Sequence, residues 1–517
     1  MHPTQAASVA CCLLAFGLAP SALAGGGSCC PADVDGDAVV GPADLATLLG
    51  SWGLCTADCP KTTVVGRLTL PGGVPAPHAQ VTTSLGGSGV SGKNGNYGFD
   101  VNLDGGRGPV TLSASVTLDN VTYEGTAVID TVEVDGVTDV GPLLLTPTGT
   151  CAATWLAGFG PNGTVVDGAV NGIALFDDHS GGGTQLYIGG AFSSAGTLGA
   201  SKIAKWNGTT WAPIANVFSG SVQDMVVYDD GSGPALYVAG TIPSINGVAM
   251  SNVAKWNGNT WSPLGSGVNA LVRDLQVFDD GSGGGPKLYA AGDFTTAGGA
   301  PASHVARWNG QSWSALGAGV PGGATCLGVH DDASGTGPAL YVGGNTVTPG
   351  AIAKWNGQFW LPLGSGLGGT VQSMTTYDDG TGPALYVGGG FATAGGQPAK
   401  GVARWKNGAW SALGAGITGT AYSLVPFFDV GNGEPSLFVG GVISQADSTP
   451  VMNFARWNGS AWSSVGATFS GKVSRIAPLD PGLGGGTVLH MVGDFLTGPS
   501  GDAYIARWGC VPTGDRR

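Results

Sequence analysis

The stretch SNVAKWNGNTWSPLG, residues 251–265, decides the fold, because it recurs along the chain. Its first Trp falls at Trp206, Trp256, Trp308, Trp355, Trp405, Trp457 and Trp508. A second follows five residues later at Trp211, Trp261, Trp313, Trp360, Trp410 and Trp462. The partner expected after Trp508 is missing and is found at the front of the array as Trp155. Fourteen of the fifteen Trp therefore come as two per unit in seven units. Asn-Gly between two apolar runs favours a type I′ hairpin turn, since both residues tolerate positive φ. Alternation on the flanking strands sends the indoles to chosen faces. Burial of a Trp removes roughly 150–250 Å² from water, about 4–6 kcal/mol gross at ~25 cal/mol per Å², so these rings are read as core and not as ligand platforms.

Each unit carries two further runs. One is Asp-ended, at Asp177, Asp229, Asp279, Asp331, Asp378, Asp429 and Asp480, and one is Gly-ended, at Gly190, Gly240, Gly292, Gly344, Gly389, Gly441 and Gly493. With the Trp hairpin that makes four short strands per unit, at first-Trp spacings of 47 to 52 residues. Four strands at this period predict a β-propeller of seven blades. LYVGG, VARWNG and WSALG in that order resemble the Kelch repeat and the repeats of cortical polarity-marker propellers, over about 360 residues. That resemblance implies a propeller over residues 149–511 and leaves function open, because propellers host many activities. One unit departs: Gly344 to Trp355 is 11 residues where five other units have 16, a shortened connection that predicts a notch in the rim.

A ring must join its last blade to its first, since open sheet edges invite aggregation. Residues 152–158 are therefore expected to pair with 505–508, leaving Cys151 and Cys510 where the Asn-Gly turn stands elsewhere. A disulfide between them would replace that turn and, on the chain-entropy model, add roughly 5–6 kcal/mol at most.

Composition bounds the rest. Glycine numbers 96 of 517 residues, charged residues are only 10%, and the net charge is −14 without a Lys/Arg cluster. This predicts an all-β chain and argues against nucleic acid and anionic membrane surfaces as partners. Residues 1–24 read as a secretory signal, with an apolar core from Ala6 to Leu18 and Ala22-Leu23-Ala24 before the cleavage point. No later apolar run reaches the ~20 residues of a membrane helix. A secreted or cell-surface protein with disulfides is expected, and Cys326 is expected to be a buried free thiol.

Two modules precede the array. In residues 29–59, Asp33, Asp35, Asp37 and Asp44 stand at positions 1, 3, 5 and 12 of an EF-hand loop, with the carbonyl of Val39 at position 7, a Ca²⁺ site of hard oxygens. Leu45, Leu48, Leu49 and Trp52 then mark one face of a short helix. Cys29, Cys30, Cys55 and Cys59 bracket the module and allow three pairings. It resembles a single type I dockerin repeat, which implies calcium and a cohesin-like partner. Ala38 replaces the usual Gly, and Pro42-Ala43 replace the recognition pair, so calcium carries over better than cohesin binding. Residues 62–148 read as five or six strands with turns between, a small β-sandwich. VVGRLTLPGGVPAPHAQV with GNYGFDV resembles the carboxypeptidase-regulatory-like, transthyretin-type family, which implies a spacer without catalytic residues.

No His pair has metal spacing, no copper site of the galactose-oxidase type is present, and no nucleophile elbow has triad partners in plausible context. The Asp-Asp pairs, such as Asp229-Asp230 and Asp378-Asp379, are read as turn caps. The sequence therefore favours an exported non-enzymatic binding or scaffold protein with a protein or glycan ligand. The alternatives are a polysaccharide-acting enzyme or its carbohydrate-binding component, and a structural cell-surface protein. An enzyme would require convergent acids or metal ligands on the strands facing the channel.

Overall fold

The computed structural model describes residues 61–148 and 153–509, apart from short internal stretches such as 71–73, 103–109, 130–135, 160–165, 346–349, 430–433 and 481–486. The described residues are all-β. The chain divides into two compact units, with the boundary between Gly149 and Thr150.

The first unit has two sheets. In one, Lys61–Leu70 lies between Asn96–Asn102 (antiparallel) and Gly136–Leu144 (parallel). In the other, Ser88–Val90, Gln80–Thr83, Val110–Leu118, Val121–Ile129 and Thr146–Thr148 follow in order. Residues of both sheets close one core, including Val64, Leu68, Val81, Tyr97, Val101 and Leu112.

The second unit repeats one antiparallel sheet seven times among the described residues. The second copy shows the plan: inner strand Ser221–Asp229, then Pro234–Thr241, Val253–Trp256 and outer strand Trp261–Pro263. Each inner strand lies against that of the next sheet, and Val473–Leu479 of the seventh lies against Val170–Asp177 of the first, so the arrangement is propeller-like. The seventh sheet takes its outer strand from the front of the unit. Thr154–Leu156 pairs with Ile505–Gly509, with Trp155 opposite Trp508 as the two indoles stand opposite in every other hairpin.

The tryptophans stitch neighbouring sheets. The two rings of a hairpin sit 5.1 Å apart at Trp256–Trp261 and 5.3 Å at Trp457–Trp462. The second indole then reaches the preceding sheet. Trp261 Nε1 donates to the Ile214 carbonyl at 3.0 Å, Trp313 to Leu264 at 2.9 Å, Trp410 to Leu363 at 3.0 Å and Trp462 to Leu413 at 2.9 Å. The N-terminal strand obeys the same rule, with Trp155 on Val465 at 3.4 Å.

The turn chemistry differs from expectation. Asn257 does not take positive φ; only Gly258 does, at 95°. The Asn257 side chain instead accepts from the N–H groups of Asn259 (3.0 Å) and Thr260 (2.8 Å), an Asx turn that outcompetes type I′. The fifth hairpin alone shifts Asn-Gly by one residue. There Asn407 and Gly408 both have positive φ (51° and 79°), Lys406 pairs with Ala409, and the two-residue I′ turn forms.

The Gly-ended strands need glycine because backbones touch. A Cβ on Gly240 would stand 2.1 Å from the Ser221 carbonyl, and one on Gly389 would stand 2.0 Å from that of Thr370. The contact accompanies a β-bulge, which shifts the register of the inner strand at the same place in all seven sheets.

Candidate functional site in the axial cavity

The seven bulges ring a cavity of about 390 Å³. A bulge re-aims side chains, and here it presents two residues per sheet. The first members are Asn171, Gln223, Arg273, Thr325, Gln372, Tyr422 and Ser474, and all of them line the cavity. The second members are Gly172, Asp224, Asp274, Cys326, Ser373, Ser423 and Arg475.

The second members bind the ring together. Asp224 Oδ2 accepts from Leu275 N–H of the next sheet at 2.8 Å, and Asp274 Oδ2 accepts from Leu327 N–H at 2.7 Å. Ser373 does the same for Leu424 at 3.1 Å and Ser423 for Ile476 at 3.0 Å. Gly172 has no side chain to offer Met225, whose N–H instead donates to its own neighbour Asp224 at 2.7 Å.

Arg475 breaks the pattern. Its guanidinium leaves the seventh sheet, passes the side-chain-free Gly172 position and bridges two acids. Nη1 lies 2.6 Å from Asp224 Oδ1 and Nη2 lies 3.2 Å from Asp274 Oδ1. The side chains are 1% exposed for Asp224, 14% for Asp274 and 32% for Arg475, so Asp274 and Arg475 face the cavity and Asp224 is sealed behind them. Burial pushes the Asp224 carboxyl above the ordinary carboxylate range. Arg475 pulls it back, the Asp274 charge pushes it up again, and it stays raised. A buried acid, an acid at the cavity wall and a guanidinium can bind polar ligand groups and hold or move a proton.

The Asp-Asp pairs do more than cap. The first Asp caps the turn as expected, Asp229 accepting from Gly231 N–H at 2.8 Å. The second ties three strands together: Asp230 takes Tyr237 Oη at 2.7 Å and Lys255 Nζ at 2.6 Å, and Asp178 takes Tyr187 and Lys205 at 2.9 and 2.5 Å. In the sixth and seventh units Val430 and Pro481 replace this Asp, and the Tyr position changes with it, to Phe438 and His490.

Of the residues the sequence singled out, Asp33, Asp35, Asp37, Val39, Asp44, Cys29, Cys30, Cys55, Cys59, Cys151 and Cys510 lie outside the described residues. Among the described residues no group of three metal-ligating side chains is gathered, and Cys326 is a buried free thiol. Sequence reading missed Asp224, Asp274 and Arg475. Their signal is a column that fails to repeat, which appears once the inner runs are aligned on their bulge.

No protein-family model matches the chain, and no curated protein matches it. Among solved structures, the chain is similar to the crystal structure of an ancestral GH74 enzyme, with 13% identity and a TM-score of 0.27 over 69% of this chain. The chain spans 61% of that enzyme's length. The name of that structure is an enzyme's, which stands against the expectation of a non-enzymatic binding or scaffold protein, and that expectation is withdrawn. Of the acids that the sequence reading required on the channel-facing strands and did not find, Asp274 lines the cavity and Asp224 lies sealed behind it.

Proposed function

We propose that the chain acts on polysaccharides, that a glycan segment enters the axial cavity, and that Asp274 is the proton-exchanging group there. The observation that carries this is the convergence of Asp224, Asp274 and Arg475 at a cavity rimmed with amide, hydroxyl and cationic side chains. Asn171, Gln223, Gln372 and Tyr422 suit sugar hydroxyls. Arg475 fixes the Asp274 carboxylate, and Asp224 positions Arg475. Release of reducing ends from a panel of β-glucan, mannan, xylan and pectin tests it. Asp274→Asn should lower turnover about 10²–10⁴-fold, the usual worth of a positioned acid–base group. Absence of turnover on every member overturns the enzymatic reading.

One observation favours a second reading, a carbohydrate-binding component. Glycoside hydrolysis ordinarily uses two carboxylates flanking the bond, whereas Asp224 is sealed and only Asp274 reaches the cavity. Oligosaccharide binding without turnover would select it.

The finer architecture belongs to the same proposal. The ring is a Kelch-type seven-bladed propeller, residues 62–148 a carboxypeptidase-regulatory-like sandwich, and residues 1–24 an export signal. Residues 29–59 are a dockerin-like module folded on Ca²⁺ through Asp33, Asp35, Asp37, Val39 and Asp44. A Cys151–Cys510 disulfide belongs to the proposal too, because in sequence Cys151 shortly precedes and Cys510 directly follows the two segments that pair, Thr154–Leu156 and Ile505–Gly509. Non-reducing mass spectrometry that finds both thiols free excludes it.

A further inference from the structure

A second cavity lies between the third and fourth sheets, away from the axis, with a volume of about 750 Å³. It exists because one turn stands away from its neighbour. In the second, third and sixth sheets the glycine of the Asn-Gly turn packs on the second Asp of the preceding sheet: a Cβ on Gly258 would meet the Asp178 carbonyl at 2.3 Å, on Gly310 that of Asp230 at 3.0 Å, and on Gly459 that of Asp379 at 3.2 Å. Gly408 of the register-shifted fifth turn has nothing within 4 Å, and neither has the equivalent Gly357. Its turn leans the other way, so that a Cβ on Gly317 would stand 2.9 Å from the Gln358 carbonyl.

The walls differ in kind. One carries Asp280, Ser282 and Arg307, and the other carries Trp355, Gln358 and Leu361. Leu361 is 44% exposed, and it occupies the place of Ser262, Ser314, Ser411 and Ser463 in other units. The charges on the polar wall already cancel: Asp280 accepts from Arg307 at 2.6 Å and from Tyr289 at 2.9 Å. Lys354, also at the cavity, is paired with Asp332 at 2.5 Å. Neither a bare anion nor a bare cation gains an unmatched charge here. An amphipathic molecule does better, with hydrogen-bonding groups on one side and C–H surface on the other, and a neutral sugar ring has that character.

We propose that this cleft is a second glycan site, taking a neutral pyranose segment with its hydroxyls toward Asp280 and Arg307 and its C–H face toward Trp355 and Leu361. It goes beyond the axial reading and does not depend on it. Calorimetric titration of the full chain with β-1,4-gluco-, manno- and xylohexaose provides the test. Wild type should bind at least one. Leu361→Ser, which restores the residue of the other units, should weaken one binding component at least fivefold, and Ala315→Trp, which fills the cleft, should abolish that component. Unchanged thermal unfolding of Leu361→Ser separates the loss from misfolding. No binding of any hexaose at millimolar concentration overturns the proposal. So does binding that survives both cleft variants and disappears in Asp274→Asn, which would place it in the axial cavity.

Discussion

The rim and the axis of the ring follow opposite rules. At the rim the same Trp pair, the same capping Asn and the same indole-to-carbonyl bond recur from sheet to sheet, as at Trp261, Trp313 and Trp462. At the axis the backbone repeats, with one bulge in every inner strand, while the side chains it presents run through Gly172, Asp224, Asp274, Cys326, Ser373, Ser423 and Arg475. Repetition holds the sheets together, and the one place where geometry repeats and chemistry does not is where a ligand can be told from water.

The contrast breaks most severely at Arg475. Arg475→Ala removes the group that pulls the raised Asp224 pKa back down, so Asp224 takes up a proton beside Asp274 and the loss stays below the about 3–5 kcal/mol of an uncompensated buried charge. Denaturant unfolding should show that loss, and a cost below about 1 kcal/mol would mean that the axial charges are solvated. Next in size is an acid limb. Burial opposes ionisation of Asp178, Asp230 and Asp332, but hydrogen bonds from Lys205, Lys255 and Lys354 respectively, and from nearby hydroxyl and N–H groups, hold each at about 2. Asp280 reaches the same value through Ser282, Tyr289 and Arg307. A folded-state pKa below the unfolded ~3.9 contributes stability that is present above pH 4 and lost as pH falls toward 2. Unfolding free energy should drop across that window, and Asp230→Asn should make the drop shallower. The smallest effect sharpens the rim itself. Trp313→Phe loses the bond to Leu264, whereas Nε1 of Trp308 in the same hairpin has no partner among the described residues. Trp313→Phe should therefore cost about 1 kcal/mol more than Trp308→Phe, and equal costs would mean that the indole bonds add nothing to packing.

What the sequence made legible follows the same division. Periodicity exposes whatever repeats, so the seven units, their four strands and the pairing of Trp155 with Trp508 could be read directly. Asp224 and Asp274 could not, because each sits in a column whose other members are Gly, Cys, Ser and Arg, and no period marks it. Attention went instead to Asp229-Asp230 and its copies, which recur because they tie strands together. Asn257 misled for a local reason: the same Asn-Gly dipeptide makes an Asx turn at 257–258 and a type I′ turn at 407–408, and a one-residue shift relative to the Trp pair decides between them. The exchange of Asp-Tyr for Val430-Phe438 and Pro481-His490 was present in the sequence, but it has meaning only once the second Asp is known to touch the Tyr.

The borrowed outer strand at Thr154–Leu156 sets an order of events. Each of the first six sheets is built from a continuous run of about fifty residues, so its contacts are local and can form quickly as the chain emerges. The seventh cannot be finished that way. Thr154–Leu156 is made first and waits for Ile505–Gly509, a loop closure across some 350 residues that no local nucleus can shorten. Until it happens, the seventh sheet has three strands and Ile505–Gly509 is a bare edge. The slowest and most aggregation-exposed moment in the life of this chain is therefore the closing of its ring.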